Sequence, residues 1–392
     1  MMSVLFLQPF PIPAPGLADA WDGRATAPVQ PVLSGPGFRP RRFCLQPGAG
    51  VNNYKPMSNN RAIVAVSDAE IADFLPAPLW AELESTLRGY QRLAPPSDAA
   101  AWQRLWSERP APVLVSAWQT PPLPANLPVG ENGSLRYVCH LAGTVRKLIP
   151  RELIARGLVV TNWGDSISAT VAECTLMLIL MALRRASYWA VAMHREGAWK
   201  DAKTYTQSLL GRRVGLHGLG AISQSLVPML RPFTDQIQAY SPHVPSQIFT
   251  RLKVAPARSL ETLFSTSDVV VELAAATPEN HHIVTEALLR LIPEGGVFVN
   301  VGRGSVVDEA ALARVAREGR LQVALDVYGQ EPLPADSPFR GLPNVTLLPH
   351  LGGPTRDRRR DSGALALKNL RAFQRGEPLQ AVVSLDVYDR ST

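Results

Sequence analysis

The chain has 392 residues, 46% of them apolar and 19% charged, enough to bury the cores of two domains of ordinary size. Its net charge of +7 draws +3 from residues 1–56, where five basic residues face two acidic ones; the remaining +4 is unremarkable, and the one dense basic cluster, Arg356–Arg360, has no aromatic interleaving to suggest a nucleic-acid site. The three cysteines, Cys44, Cys139 and Cys174, stand far apart with no C-x-x-C spacing, which argues against a disulfide framework or a zinc cluster and points to a reducing, cytoplasmic setting.

Residues 1–56 contain ten prolines and no helical or strand period, so they are expected to form a disordered tail. No Lys or Arg precedes its apolar patch, and prolines 9, 11, 13 and 15 break it, so a signal peptide is not expected. From Met57 the pattern changes, which fits either a natural tail or a start assigned too far upstream. Strands are expected at Ala62–Val66, Val113–Ala117, Leu135–His140 and Leu158–Thr161, with helices such as Ala77–Tyr90 and Asp98–Ser107 between them. The apolar run Val171–Leu183 carries Glu173 and stops at Arg184, so it reads as a buried helix (Thr170–Arg185), too short for a membrane span. A second strand series follows at Arg213–Leu216, Ile237–Tyr240, Val269–Leu273, Val297–Val301, Val323–Asp326 and Val345–Leu348, the six of a dinucleotide-binding sheet. The last helix, about Thr355–Arg375, has no strand to cross to and is expected to return to the first domain. Its basic run Arg356–Arg360 is interrupted by Asp357 and reads as a solvated face.

The clearest local motif is Arg213-Val-Gly-Leu-His-Gly218-Leu-Gly220-Ala221-Ile222-Ser223, a strand entering a glycine turn and a helix. Gly218 permits the turn, Gly220 allows backbone to approach a pyrophosphate, and the helix start offers unpaired N–H groups. Ser223 stands at the third glycine of the fingerprint and weakens the match. Ser241 stands where an acidic residue would hold the ribose hydroxyls, so NAD and NADP are both open. With no Arg adjacent, NAD is slightly favoured; His243 and Arg251 are the residues to test otherwise.

Three polar residues leave consecutive strand ends, where sites form in open α/β sheets. They are Arg303 in Val299-Asn-Val-Gly-Arg303-Gly-Ser, Glu331 in Asp326-Val-Tyr-Gly-Gln-Glu331-Pro332, and His350 before Leu351-Gly352-Gly353. A cation, a carboxylate and a histidine suit an acid, its charge partner and an anchor for a substrate anion. His217, inside the glycine-turn strand, reads as a core histidine, and His281 and His282 as surface residues.

In these motifs the chain resembles the D-isomer-specific 2-hydroxyacid dehydrogenases over about residues 135–385, and loosely over 61–134. The resemblance rests on Gly218-Leu-Gly220-Ala-Ile, on residues 299–312, on Leu325-Asp-Val-Tyr-Gly-Gln-Glu-Pro332 and on Leu348-Pro-His-Leu-Gly-Gly353. It implies catalytic roles for Arg303, Glu331 and His350, with Arg303 also binding substrate, and Asp326 holding the nicotinamide carboxamide. Gly218, Gly220, Ala221, Ile222, Ser241, Gly352 and Gly353 would complete a cofactor site. The family's Gly-rich, Asp-containing carboxylate loop is replaced by His140-Leu-Ala-Gly-Thr-Val-Arg146, where N–H groups of Ala142, Gly143 and Thr144 can still take a carboxylate. A His-Ala-Pro near the nicotinamide is replaced by Leu273-Ala-Ala275.

The expected fold is α/β: a smaller flavodoxin-like substrate domain (57–163), a Rossmann-like doubly wound parallel cofactor domain (164–351), and a C-terminal segment (352–392) whose helix returns to the substrate domain. The implied activity is hydride transfer between NAD(P)(H) and a 2-hydroxy acid/2-keto acid pair by a cytoplasmic homodimer, with no metal, nucleic-acid or membrane partner. Two alternatives stand beside it. One is a non-catalytic NAD-sensing binding protein resembling the corepressors of this family, which can keep the same trio. The other is an enzyme resembling formate dehydrogenase, which has Gln where Glu331 stands.

Overall fold

The computed structural model describes residues 61–390 apart from Arg88 and residues 94–98, so the Pro-rich segment 1–56 lies outside the described residues. Two parallel sheets organise the rest. The first has the order β2-β1-β3-β4-β5, with β1 at Ala62–Ala65, β2 at Tyr90–Arg92, β3 at Val113–Ser116, β4 at Tyr137–His140 and β5 at Val159–Thr161. That is the flavodoxin-like order. The second contains β6 (Val214–His217), β7 (Ile237–Tyr240), β8 (Ala255–Pro256), β9 (Val269–Glu272), β10 (Val297–Asn300), β11 (Gln322–Leu325) and β12 (Val345–Leu347). Its order is β12-β11-β10-β9-β6-β7-β8, the Rossmann pattern with the direction of winding reversing between β6 and β9.

Central strands such as β1, β3, β4, β6, β9 and β10 are buried at every position, as parallel strands covered by helices on both faces must be. Successive side chains divide between opposite cores. In the first sheet Ala62 and Val64 enter one cluster while Ile63 and Ala65 enter the other. In the second, Val269 and Val271 face one side and Val270 the other.

The structure corrects the strand inventory. β2 and β8 are absent from the sequence expectation because they are edge strands of three and two residues, with no room for a period. Helix Ala77–Thr86 stops short of the expected Tyr90, which instead opens β2. β6 starts one residue late because Asp268 takes the Arg213 N–H and guanidinium outside the sheet.

Helix Ser168–Arg184 lies on the second sheet, with Ala172, Leu178, Ile179, Ala182 and Leu183 inside that core. With the 3-10 turn before it, the helical stretch Gly164–Arg184 spans 21 residues and contains 18 consecutive residues of mean hydropathy 1.9. It is therefore long and apolar enough to cross a membrane by length and composition, contrary to the sequence expectation, but half of those 18 residues are buried within the protein.

The C-terminal helix, Arg359–Arg375, packs on the first sheet. Ala366, Leu367, Leu370 and Phe373 form its buried stripe, and each large side chain buried there contributes about 1.5–3 kcal/mol. Gly363 makes the closest approach, since a Cβ there would sit 1.8 Å from the Phe74 carbonyl oxygen. The basic run is not simply solvated. Arg356 and Arg359 both hold Asp73 at 2.6 Å, and Arg359 lies 4.8 Å over the Trp118 ring, so these arginines dock the helix.

Candidate active site

The sequence makes β6 run into a turn that only glycine enters easily. Gly218 has φ +91°, and a Cβ there would lie 2.9 Å from the Leu273 carbonyl oxygen. Gly220 caps helix Ala221–Leu230 without a side-chain hydrogen bond, and a Cβ built on it meets nothing within 4 Å. Open space before a helix N-terminus fits a pyrophosphate. Ser223, a weakness in the sequence motif, proves structural: it is buried, and its hydroxyl donates to the Gly218 carbonyl at 2.7 Å, closing the turn.

Behind that turn lies a feature the sequence did not reveal. His217 Nδ1 and Glu272 Oε2, on adjacent strands β6 and β9, are 2.5 Å apart with side chains 5% and 0% exposed. Burial disfavours the imidazolium, but the Glu272 charge and hydrogen bond outweigh it, so the His217 pKa is raised. Glu272 Oε1 accepts the Ala274 N–H at 2.8 Å, fixing the exit of β9. That exit is a wall between two loops: Gly218 rests on Leu273 and Ala274 from one side, and Gly302 abuts the Glu272 and Ala274 carbonyls from the other.

Gly302 leads into Arg303. Asn300, last in β10, shapes the loop by accepting the Gly302 N–H at 3.0 Å and donating to the Arg303 carbonyl at 3.1 Å. Gly304 presses on the next exit, since a Cβ there would fall 1.9 Å from the Tyr328 carbonyl carbon. Burial lowers the Arg303 pKa, while the Glu331 charge opposes that shift and reports the carboxylate's proximity.

Glu331 Oε1 accepts the Tyr328 N–H at 3.0 Å, and Oε2 accepts the His350 Nδ1–H at 2.7 Å. His350 occupies the left-handed region (φ +53°), unusual for a residue with a side chain. Asp326 holds it there. Its backbone carbonyl accepts the His350 N–H at 2.9 Å, and its carboxylate accepts the N–H groups of Leu351 at 2.7 Å and Gly352 at 2.8 Å. Burial raises the Asp326 pKa, against those two hydrogen bonds. Asp326 is therefore the anchor of the histidine turn, a role its sequence position did not reveal. With Nδ1 engaged, His350 Nε2 has no hydrogen-bond partner among the described residues.

In the first lobe, β4 ends in the loop Leu141–Thr144. Trp163 lies on Gly143, leaving room for no side chain there: a Cβ would be 2.4 Å from the indole. Asn162 Nδ2 donates to the Gly143 carbonyl at 2.8 Å. The carbonyls are thus engaged, while the N–H groups of Ala142, Gly143 and Thr144 have no acceptor among the described residues. His140, just before them, contacts Ser116 Oγ through Nδ1 at 3.0 Å, and burial pushes its pKa from 6.5 to about 4, against a backbone hydrogen bond at Thr144. The imidazole is neutral at pH 7.

The comparisons agree with this geometry. Residues 176–352 match the family model described as "D-isomer specific 2-hydroxyacid dehydrogenase, NAD binding domain". The chain is 31% identical over 231 residues to D-3-phosphoglycerate dehydrogenase of Methanocaldococcus jannaschii, spanning 59% of this chain but only 44% of that protein. It is 32% identical over 270 residues to glyoxylate reductase of Pyrococcus horikoshii, covering 66% of this chain and 79% of the relative. The apo D-mandelate dehydrogenase of Rhodotorula graminis shares the fold at TM-score 0.70 and 22% identity, over 82% of this chain and 96% of that one. With its glycine turn, Rossmann strand order and these matches, the chain belongs to the D-isomer-specific 2-hydroxyacid dehydrogenases, oxidoreductases with an NAD(P)-binding Rossmann domain.

Proposed function

We propose that the protein interconverts a 2-hydroxy acid and its 2-keto acid, with His350 as general acid and base. The observation that carries this is the 2.7 Å contact from His350 Nδ1 to Glu331, with Nε2 left free of protein partners among the described residues. In reduction, Nε2 gives its proton to the substrate's carbonyl oxygen, and in oxidation it takes the hydroxyl proton back. Glu331 holds the ring in one orientation and compensates the imidazolium charge. Arg303 sets a cation against the substrate's carboxylate and carbonyl, and the free amides of Ala142, Gly143 and Thr144 offer the carboxylate further donors.

Gly218, Gly220, Ala221 and Ile222 would hold the cofactor pyrophosphate, on a turn that Ser223 closes from within; Ser241 would face the adenosine ribose. Asp326, Gly352 and Gly353 would border the nicotinamide end. Each Asp326 oxygen keeps a lone pair beyond the backbone N–H it already accepts. When bound, the nicotinamide supplies or receives the hydride.

Steady-state assays of purified protein with glyoxylate, pyruvate, hydroxypyruvate and bulkier 2-keto acids, with NADH and NADPH, test the proposal. Turnover that disappears in His350→Ala supports it. Dinucleotide binding without turnover on the whole panel would favour the NAD-sensing reading. Glu331 itself disfavours the formate-dehydrogenase-like reading, because a carboxylate beside His350 serves a reaction in which a proton moves. A homodimer belongs to the same proposal: Val191, Met193, Trp199, Tyr205 and Leu210 expose 49–72% of their surface within one short stretch. Light scattering would report a single monomer mass if that face stays solvated.

A further inference from the structure

The exit of β7 opens into a cavity of about 520 Å³ whose walls include Tyr240, Ser241, Phe249, Lys253, Ala257 and Arg258, and no Asp or Glu. Parallel pairing explains the juxtaposition. Gln238 and Ala239 register with Ala255 and Pro256, and the Ala257 N–H donates to the Ala239 carbonyl at 2.9 Å. Arg258 therefore leaves the sheet at the same edge as Ser241, although 17 residues separate them in the chain. Lys253 reaches the cavity from the end of helix Ser246–Leu252.

Nearby basic side chains are committed elsewhere. Arg213 pairs with Asp268, Arg231 binds the Leu252 and Lys253 carbonyls, and Arg251 binds Gln224 Oε1 at 2.8 Å. Among the described residues, the Lys253 and Arg258 side chains make no ion pair or hydrogen bond, and both are exposed. Two uncommitted cations therefore line a cavity without a carboxylate, at the strand end where a Rossmann sheet meets the adenosine ribose.

We propose that this cavity is a 2′-phosphate subsite, with Arg258 as its principal cation and Lys253 as the second, and that the enzyme selects NADP(H) over NAD(H). This rests on the dinucleotide-binding reading of the glycine turn and revises the slight NAD preference inferred from the lack of an adjacent Arg. A carboxylate at position 241 would accept the 2′-hydroxyl of NAD but repel a phosphate dianion, whereas the uncharged Ser241 hydroxyl repels neither and can donate to a phosphate oxygen. Arg258 supplies what the sequence neighbourhood lacks, a planar fork suited to phosphate oxygens.

The test is binding, measured without turnover by titration calorimetry of the full chain at two salt concentrations. The probes are NADPH against NADH, and 2′,5′-ADP against 5′-AMP, which differ only in the 2′-phosphate. The phosphorylated member of each pair should bind at least about tenfold tighter, the scale of one charge-assisted hydrogen bond, and the advantage should shrink at high salt. Arg258→Ala should bring the ratio close to one with NADH affinity unchanged. Lys253→Ala should lower it less, and Ser241→Asp should invert it. Equal or tighter binding of NADH, or a ratio unmoved by Arg258→Ala, overturns the subsite while leaving the proposed hydride transfer intact. Failure of every probe to bind would instead overturn the dinucleotide reading on which both rest.

Discussion

Replacing His217 with Leu should destabilise the folded protein by about 3–5 kcal/mol, the cost of leaving a buried charge without its partner. The magnitude follows from Glu272, whose side chain has no exposed surface and whose Oε2 would lose its 2.5 Å contact with His217. Glu272→Leu should cost less, about 1–3 kcal/mol, because His217 can shed its proton and the main loss is the acceptor for the Ala274 N–H. The double variant His217→Leu/Glu272→Leu should be more stable than His217→Leu alone, since no buried charge remains. The pH dependence gives a second readout. Because Glu272 raises the His217 pKa above its unfolded value, the pair's contribution is fully present below the ordinary 6.5 and is lost as pH rises through the folded value. Reversible urea denaturation followed by tryptophan fluorescence at pH 6 and pH 9 measures both. The wild type should lose stability on that alkaline shift, and the double variant should lose less. A His217→Leu midpoint within error of the wild type, or the same pH slope in both proteins, would refute the reasoning. Because the pair braces the wall between the glycine turn and the Arg303 loop, His217→Leu should also weaken dinucleotide binding.

His350→Ala should lower kcat by on the order of 10²–10⁴ while leaving the dinucleotide Kd nearly unchanged, and Glu331→Gln, which keeps the hydrogen bond but not the charge, should lower it less. Stopped-flow hydride transfer and fluorescence titration separate the two effects. Gly304→Ala sets a methyl 1.9 Å from backbone, so it should depress the melting temperature and activity together, with overpacking costing about 1–3 kcal/mol or more. For His140 the folded pKa of about 4 lies below the ordinary 6.5, so stability should be lost as pH falls between those values, by up to about 3 kcal/mol at 1.36 kcal/mol per tenfold. Melting curves of His140→Gln should show a shallower acid slope.

Sequence alone was sufficient wherever the physics is local. A run such as Val269–Glu272 reads as a buried strand because a parallel strand covered on both faces must be apolar at every position. The polar residues that end such runs, Arg303, Glu331 and His350, could be read as one site because parallel strands deliver their carboxyl ends to one edge. The helix Arg359–Arg375 could be assigned a return path because no strand followed it. Edge strands escaped, because the two residues of β8 carry no period and one is a proline. The rest depended on which strands become neighbours. His217 and Glu272 are 55 residues apart and meet only because β9 lies beside β6, where the winding reverses. Arg258 reaches the cavity of Ser241 only because β8 joins the edge of β7. Asp326 shows itself as the anchor of the His350 turn only once β12 has paired with β11. Hydrophobic periodicity specifies which face of an element is buried and where the element ends, whereas its polar partners are set by strand order, which only the closed tertiary structure decides.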